Sequence, residues 1–159
     1  MHEKFLKIAI EKARESIFKG GFPAGAIVVK DGKIIGEGIS IGNKLNDPTS
    51  HGEVVAIRDA CKKLTSVDLS GATLFASMEP CSMCLSASMW SSISKIVFAC
   101  SKDKVAPEYY GGHYENTELN TTFLKPLDLV HVPDIEEESL QAVHDWEGLS
   151  SKQKNSLKS

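Results

Sequence analysis

The chain reads as an α/β domain, with one mixed sheet carrying helices on both faces. Three observations predict this class. Helical and strand periodicities alternate along the 159 residues. Asp31-Gly32 stands between two apolar runs, a hairpin signal because both turn positions must tolerate positive φ. The later strand-like runs are separated by helix-length segments, which suit parallel strand–helix–strand crossovers.

Each element follows from local pattern. Residues 3–19 carry Phe5, Ile8 with Ala9, Lys12 with Ala13, and Ile17 at helical spacing, closed by Gly20-Gly21. Ala24 to Lys30 and Lys33 to Ile41 are the hairpin strands. The loop Asn46-Asp47-Pro48-Thr49-Ser50 leads into a helix from His51 to Leu64, which Thr49 or Ser50 can cap. Ala72 to Met78 is a short apolar strand after Ser70-Gly71. Pro80 then permits a helix from Cys81 to about Ser92. Lys95 to Cys100 is the next strand, residues 101–122 a long loop or broken helix, Leu127 to Val132 the last strand, and Asp134 to Trp146 the last helix. The domain is expected over 1–148. Residues 149–159, with Lys152, Lys154 and Lys158, read as a mobile polar tail.

Composition narrows the class further. At 42% hydrophobic and 25% charged, the chain can bury a core without disulfide staples, which excludes collagen-like, extensively disordered and disulfide-dense classes. No apolar run approaches the roughly 20 residues of a membrane span. A formal charge of -3 gives little of the phosphate attraction that drives nucleic-acid binding. Met1-His2-Glu3-Lys4 does not open a secretory signal, so a cytoplasmic location is expected.

The chemistry concentrates in two short strings, His51-Gly52-Glu53 and Pro80-Cys81-Ser82-Met83-Cys84, each opening a helix. Cys81 and Cys84 share one face of a first helical turn, where unpaired N–H groups and the helix dipole favour thiolates. Two thiolates and one imidazole make a three-ligand set suited to Zn²⁺, with a fourth position open for water, which is the catalytic form of a zinc site. Glu53, two residues from His51, is placed to move protons between that water and a substrate. Cys61 and Cys100 lie in apolar-periodic stretches and read as inert core thiols. Among the other histidines only His113, in the aromatic loop, invites attention.

H-x-E with P-C-x-x-C is the known signature of zinc nucleobase deaminases. With Gly25-Ala26-Ile27-Val28-Val29-Lys30-Asp31-Gly32, Asn46 to Arg58 and Glu79 to Leu85, the chain resembles the cytidine deaminase superfamily, in the branch of guanine deaminases and tRNA adenosine deaminases. The resemblance is good from about residue 3 to 100 and weak afterwards. It implies a three-layer α/β/α sandwich around a five-stranded sheet, zinc on His51, Cys81 and Cys84, Glu53 as proton shuttle, and a homodimer.

The implied reaction is hydrolytic deamination of an aminated purine-like base or nucleoside. Two departures bear on the substrate. Gly38-Ile39-Ser40 puts Ser40 where relatives commonly carry a ring-binding Asn, and Pro23-Ala24-Gly25 puts Ala24 where guanine deaminases carry a stacking Phe. Both enlarge the pocket, with Tyr109, Tyr110 or Tyr114 available for stacking and Glu115 as an acceptor. Ala24, Ser40, Pro80, Tyr110, Tyr114 and Glu115 are the expected substrate contacts. The alternatives are a tRNA adenosine deaminase, disfavoured by Asp134 and Glu136-Glu137-Glu138 where a cationic helix would serve RNA, and a catalytically silent zinc-stabilised base-binding module.

Overall fold

The computed structural model describes residues 1–156. Five strands form one sheet in the order β2-β1-β3-β4-β5. β1 (Phe22–Lys30) and β2 (Lys33–Ser40) make the expected antiparallel hairpin. It turns on Asp31 at φ 52° and Gly32 at φ 74°, the positive pair a tight two-residue turn demands. β1 also pairs antiparallel with β3 (Thr73–Met78). β3 runs parallel to β4 (Lys95–Cys100), and β4 parallel to β5 (Asp128–His131). The sheet is therefore mixed, as predicted. The β1–β3 pairing carries no local signal, because a whole strand and helix separate the partners.

Alternation along the strands builds two cores. Ala26, Val28, Leu74, Ala76, Ile96 and Phe98 face one side, where they meet Ala56, Ile57 and Ala60 of α3 (Gly52–Leu64) and Leu85 of α4 (Ser82–Trp90). Ile27, Val29, Phe75, Val97 and Ala99 face the other, where they meet Phe5, Leu6 and Ile10 of α1 (His2–Phe18). α6 (Glu136–Glu147) lies beside α1, and α5 (Asn116–Thr121) beside α4. The result is three layers. Each fully buried Leu, Ile or Val contributes about 1.5–3 kcal/mol of transfer free energy.

α3 sits unusually close to the sheet. A Cβ at Gly38 would collide with the Gly52 carbonyl, and one at Gly36 with the Ala56 carbonyl. Two glycines in β2 thus let α3 rest on bare backbone, which sets the height of its first turn above the strand ends.

Several expectations need correction. The first residue of α3 is Gly52, with His51 as its N-cap and no side-chain cap. The Thr49 and Ser50 hydroxyls instead donate to Asp47, at 2.6 and 2.7 Å. A short helix, α2 (Gly42–Leu45), interrupts what reads as loop. Residues 101–122 are the broken helix expected, with two 3-10 turns, Lys102–Lys104 and Pro107–Tyr110, before α5. The polar segment read as a mobile tail forms α7 (Ser151–Ser156). Ser150 and Gln153 cap it reciprocally, Ser150 N donating to Gln153 Oε1 at 2.8 Å and Gln153 N to Ser150 Oγ at 3.1 Å. Lys158 lies outside the described residues.

Candidate active site

The carboxyl ends of parallel β3 and β4 and the starts of α3 and α4 converge, the usual place for a site in an open α/β sheet. His51 and Cys81 are both N-cap residues in extended conformation, with φ/ψ of -76/150° and -73/173°. That conformation aims their side chains across the two helix starts toward each other. Cys84 follows on the first turn of α4 and is fully buried.

The three donor atoms form a nearly equilateral triangle. Cys81 Sγ lies 3.5 Å from His51 Nδ1 and 3.6 Å from Cys84 Sγ, and Cys84 Sγ lies 3.6 Å from His51 Nδ1. Zinc–sulfur bonds of about 2.3 Å and zinc–nitrogen bonds of about 2.0 Å at tetrahedral angles place such donors roughly 3.5–3.8 Å apart. The triangle fits the ion, and the donor set is soft and deprotonatable. His51, Cys81 and Cys84 would hold zinc.

Electrostatics act unequally on the three donors. Hydrogen bonding from Cys84, then from His51, pulls the Cys81 thiol down to about 4, so it stands as thiolate. The bond to Cys81 raises His51. Cys84 is pushed up, first by its hydrogen bond to Cys81 and then by burial. Glu53, only 4% exposed in the first turn of α3, brings Oε2 to 3.2 Å from Cys84 Sγ. Burial, reinforced by the negative Cys81, pushes its carboxyl up to about 7. A carboxyl titrating there can accept and return a proton at neutral pH.

His51, Glu53 and Cys81 open into a cavity of about 500 Å³. Of the expected substrate contacts, Ala24, Ser40 and Tyr110 line it. Ser40 is also structural, since its Oγ accepts the Gly52 N–H at 2.8 Å. Tyr110 donates its hydroxyl to the Glu79 carbonyl at 2.7 Å. Three expected contacts lie elsewhere. Pro80 and Glu115 border a separate, smaller cavity of about 240 Å³, lined also by Leu85, Phe98 and Asn116. Tyr114 turns its hydroxyl to accept Ser82 N–H at 2.9 Å, which removes it from the cavity lining. Glu115 is exposed and sits 3.8 Å from Lys102. His113 is exposed as well.

The cavity wall also contains residues the sequence reading missed. Phe22, Tyr109 and Trp146 pack edge-to-face with centroids 5.1, 5.2 and 5.9 Å apart. Lys154 of α7 sets its ammonium 4.0 Å over the Trp146 ring. Only Tyr109 was a sequence candidate. The S-x-x-Q cap at Ser150–Gln153 was the available signal for α7. No local signal brings Trp146 to a site built by residues 51–84.

Cys61 and Cys100 stay apart from this chemistry. Burial raises both thiols, Cys100 to about 12. His51, Cys81 and Cys84 are the one such metal-binding cluster among the described residues.

A soft three-donor centre beside a buried carboxylate, at the strand ends of this three-layer fold, defines a zinc-dependent hydrolase of C–N bonds. The chain belongs to the family described as the cytidine and deoxycytidylate deaminase zinc-binding region, whose sequence model matches residues 1–100. It is 41% identical over 102 residues to the tRNA-specific adenosine deaminase of Aquifex aeolicus, covering 64% of this chain and 68% of that one. It is 39% identical over 133 residues to the guanine deaminase of Bacillus subtilis, covering 83% of each. A solved structure from work on tRNA:A34 deaminases superposes with a TM-score of 0.77 at 28% identity, covering 88% of this chain and 99% of that one. The protein is thus a zinc-dependent deaminase of the branch the sequence resembles.

Proposed function

We propose that this deaminase removes the exocyclic amine of a small purine-like base or nucleoside. The observation that carries this reading is the continuity of one cavity from Glu53, His51 and Cys81 to the Phe22–Tyr109–Trp146 cluster. That cluster offers aromatic surface to a ring whose amine points at Glu53. Bound zinc supplies a water with its pKa lowered to about 7. Glu53 takes one proton from the attacking water and delivers it to the ring nitrogen, then takes the remaining hydroxyl proton and hands it to the departing amine. Water and amine are exchanged for a ring carbonyl and ammonia. Ala24 leaves room that a larger side chain would fill, and Ser40 offers one hydroxyl.

Adenosine in tRNA is the second reading, favoured by the similarity to the Aquifex aeolicus relative. Against it stand the formal charge of -3 and the walling of the cavity by Trp146 and Lys154 from the C-terminal helices. Ammonia release over guanine, guanosine, adenine, adenosine, cytosine, pterins and aminotriazines tests the first reading. Turnover of one or more is expected. Turnover of none, with tight salt-sensitive binding to tRNA in a gel shift, would replace it with the second. A silent binding module predicts neither.

Pairing of two copies belongs to the same reading. Met83, Ala87 and Trp90 form one stripe of α4, and Trp90 is 79% exposed. Sedimentation of the parent as a dimer and of Trp90→Ser as a monomer is expected. No helix among the described residues is long and apolar enough to cross a membrane, and the thiol ligands suit a reducing cytoplasm.

A further inference from the structure

The turn that carries Cys81 does not hold itself. β3 ends at Met78 and α4 begins at Ser82, so Glu79, Pro80 and Cys81 lie between two regular elements. Their polar groups are met from residues 100–116. Glu79 N donates to the Cys100 carbonyl at 2.7 Å. Tyr110 holds the Glu79 carbonyl, and Tyr114 holds Ser82 N–H. Asn116 does most. Its Nδ2 donates to Glu79 Oε2 at 2.8 Å and to the Pro80 carbonyl at 2.7 Å, while Lys102 N occupies Glu79 Oε1 at 3.1 Å.

Asn116 makes a costly choice for that position. It is 3% exposed, and its Oδ1 has no hydrogen-bond partner. A buried amide with an orphaned acceptor is unfavourable where an apolar side chain of similar size could sit. The Nδ2 end explains the residue. It is a double donor between a carboxylate and the carbonyl immediately before a metal ligand. Asn120, one turn further along α5, is different. Its amide pairs with Leu127, Nδ2 donating to the carbonyl and Oδ1 accepting from the N–H, both at 2.8 Å.

We propose that Asn116 is a positioning residue for the metal centre: by fixing the Glu79–Pro80 backbone it holds Cys81 Sγ at its distances from His51 and Cys84, and so sets zinc affinity. The inference rests on the zinc-site reading and adds to it a residue beyond the donors themselves. Groups that orient metal ligands from behind typically change affinity 10–100-fold when removed.

The test is zinc affinity by competition with a chromophoric chelator, together with the cobalt(II) absorption spectrum, for the parent, Asn116→Leu and Asn120→Leu. Asn116→Leu is expected to bind zinc about 10–100-fold more weakly and to shift the cobalt–thiolate bands. Asn120→Leu is expected to lower the unfolding midpoint while keeping the parental affinity and spectrum. If Asn116→Leu does not fold, Asn116→Asp, matched in size but with an acceptor facing Glu79 and Pro80, is read in its place. An Asn116 variant within twofold of the parent, or equal zinc losses in the Asn116 and Asn120 variants, overturns the proposal. A parent that binds no zinc would instead overturn the metal-site reading itself, so the two failures are distinguishable.

Discussion

α3 follows His51 and α4 follows Cys81, each an extended N-cap residue that points a donor at the other, with no side-chain cap on either helix. The supports differ. The start of α3 rests on β2: Ser40 Oγ, 12 residues back, takes Gly52 N–H, and Gly36 and Gly38 let the helix touch strand backbone. The start of α4 is held by Tyr110, Tyr114 and Asn116, 31 to 37 residues downstream. One half of the metal site is therefore supported by close packing on a neighbouring strand. The other half is supported by hydrogen bonds from a remote segment. Volume changes should break the first, and donor–acceptor changes the second.

The largest expected effect on stability is at Gly38. Gly38→Val drives a side chain into the Gly52 carbonyl and the Ala56 backbone, and urea denaturation should show a loss of about 3 kcal/mol, the upper end of overpacking costs. Parental stability in that variant would mean α3 can lift without consequence. Ser40→Ala should cost less, about 1–2 kcal/mol, by leaving the Gly52 N–H buried and unpaired. Trp146→Ala removes one aromatic wall. Steady-state kinetics should show KM rising about tenfold with kcat little changed, the size of an aromatic contact of about 1–1.5 kcal/mol.

The smallest effect concerns the loop before α3. Hydrogen bonds from the Thr49 hydroxyl, the Ser50 hydroxyl and Thr49 N–H lower the Asp47 carboxyl from 3.8 to about 2. A carboxyl depressed in the folded state stabilises above its unfolded value and loses that contribution as pH falls through its folded value. The difference in urea midpoint between parent and Asp47→Asn should therefore be constant above about pH 4 and shrink toward pH 2. A difference that grows on acidification would contradict the assignment.

The same contrast explains what was legible in the chain. Two apolar runs around Asp31-Gly32 gave the hairpin because the signal is local. Both ligand strings were legible because each sits at a helix start that its own neighbours mark. Tyr114 and Glu115 were placed at the substrate because an aromatic, polar loop reads as a binding loop. Their side chains instead meet Ser82 and Lys102, which pattern alone does not show. Trp146 and Asn116 reach their places through tertiary packing, so no spacing near residues 79–84 announces them. α7 is another case. Its cap at Ser150 and Gln153 was local, but polar composition concealed it.

The claim that most depends on the whole arrangement is that Glu53, buried beside the three donors, moves the protons of the deamination. Ammonia release by zinc-loaded parent and by Glu53→Gln of equal zinc content, on whichever heterocycle the panel identifies, tests it directly. Retained zinc and a rate lower by about 10²–10⁴-fold are expected in the variant. A Glu53→Gln protein that deaminates at the parental rate would contradict it.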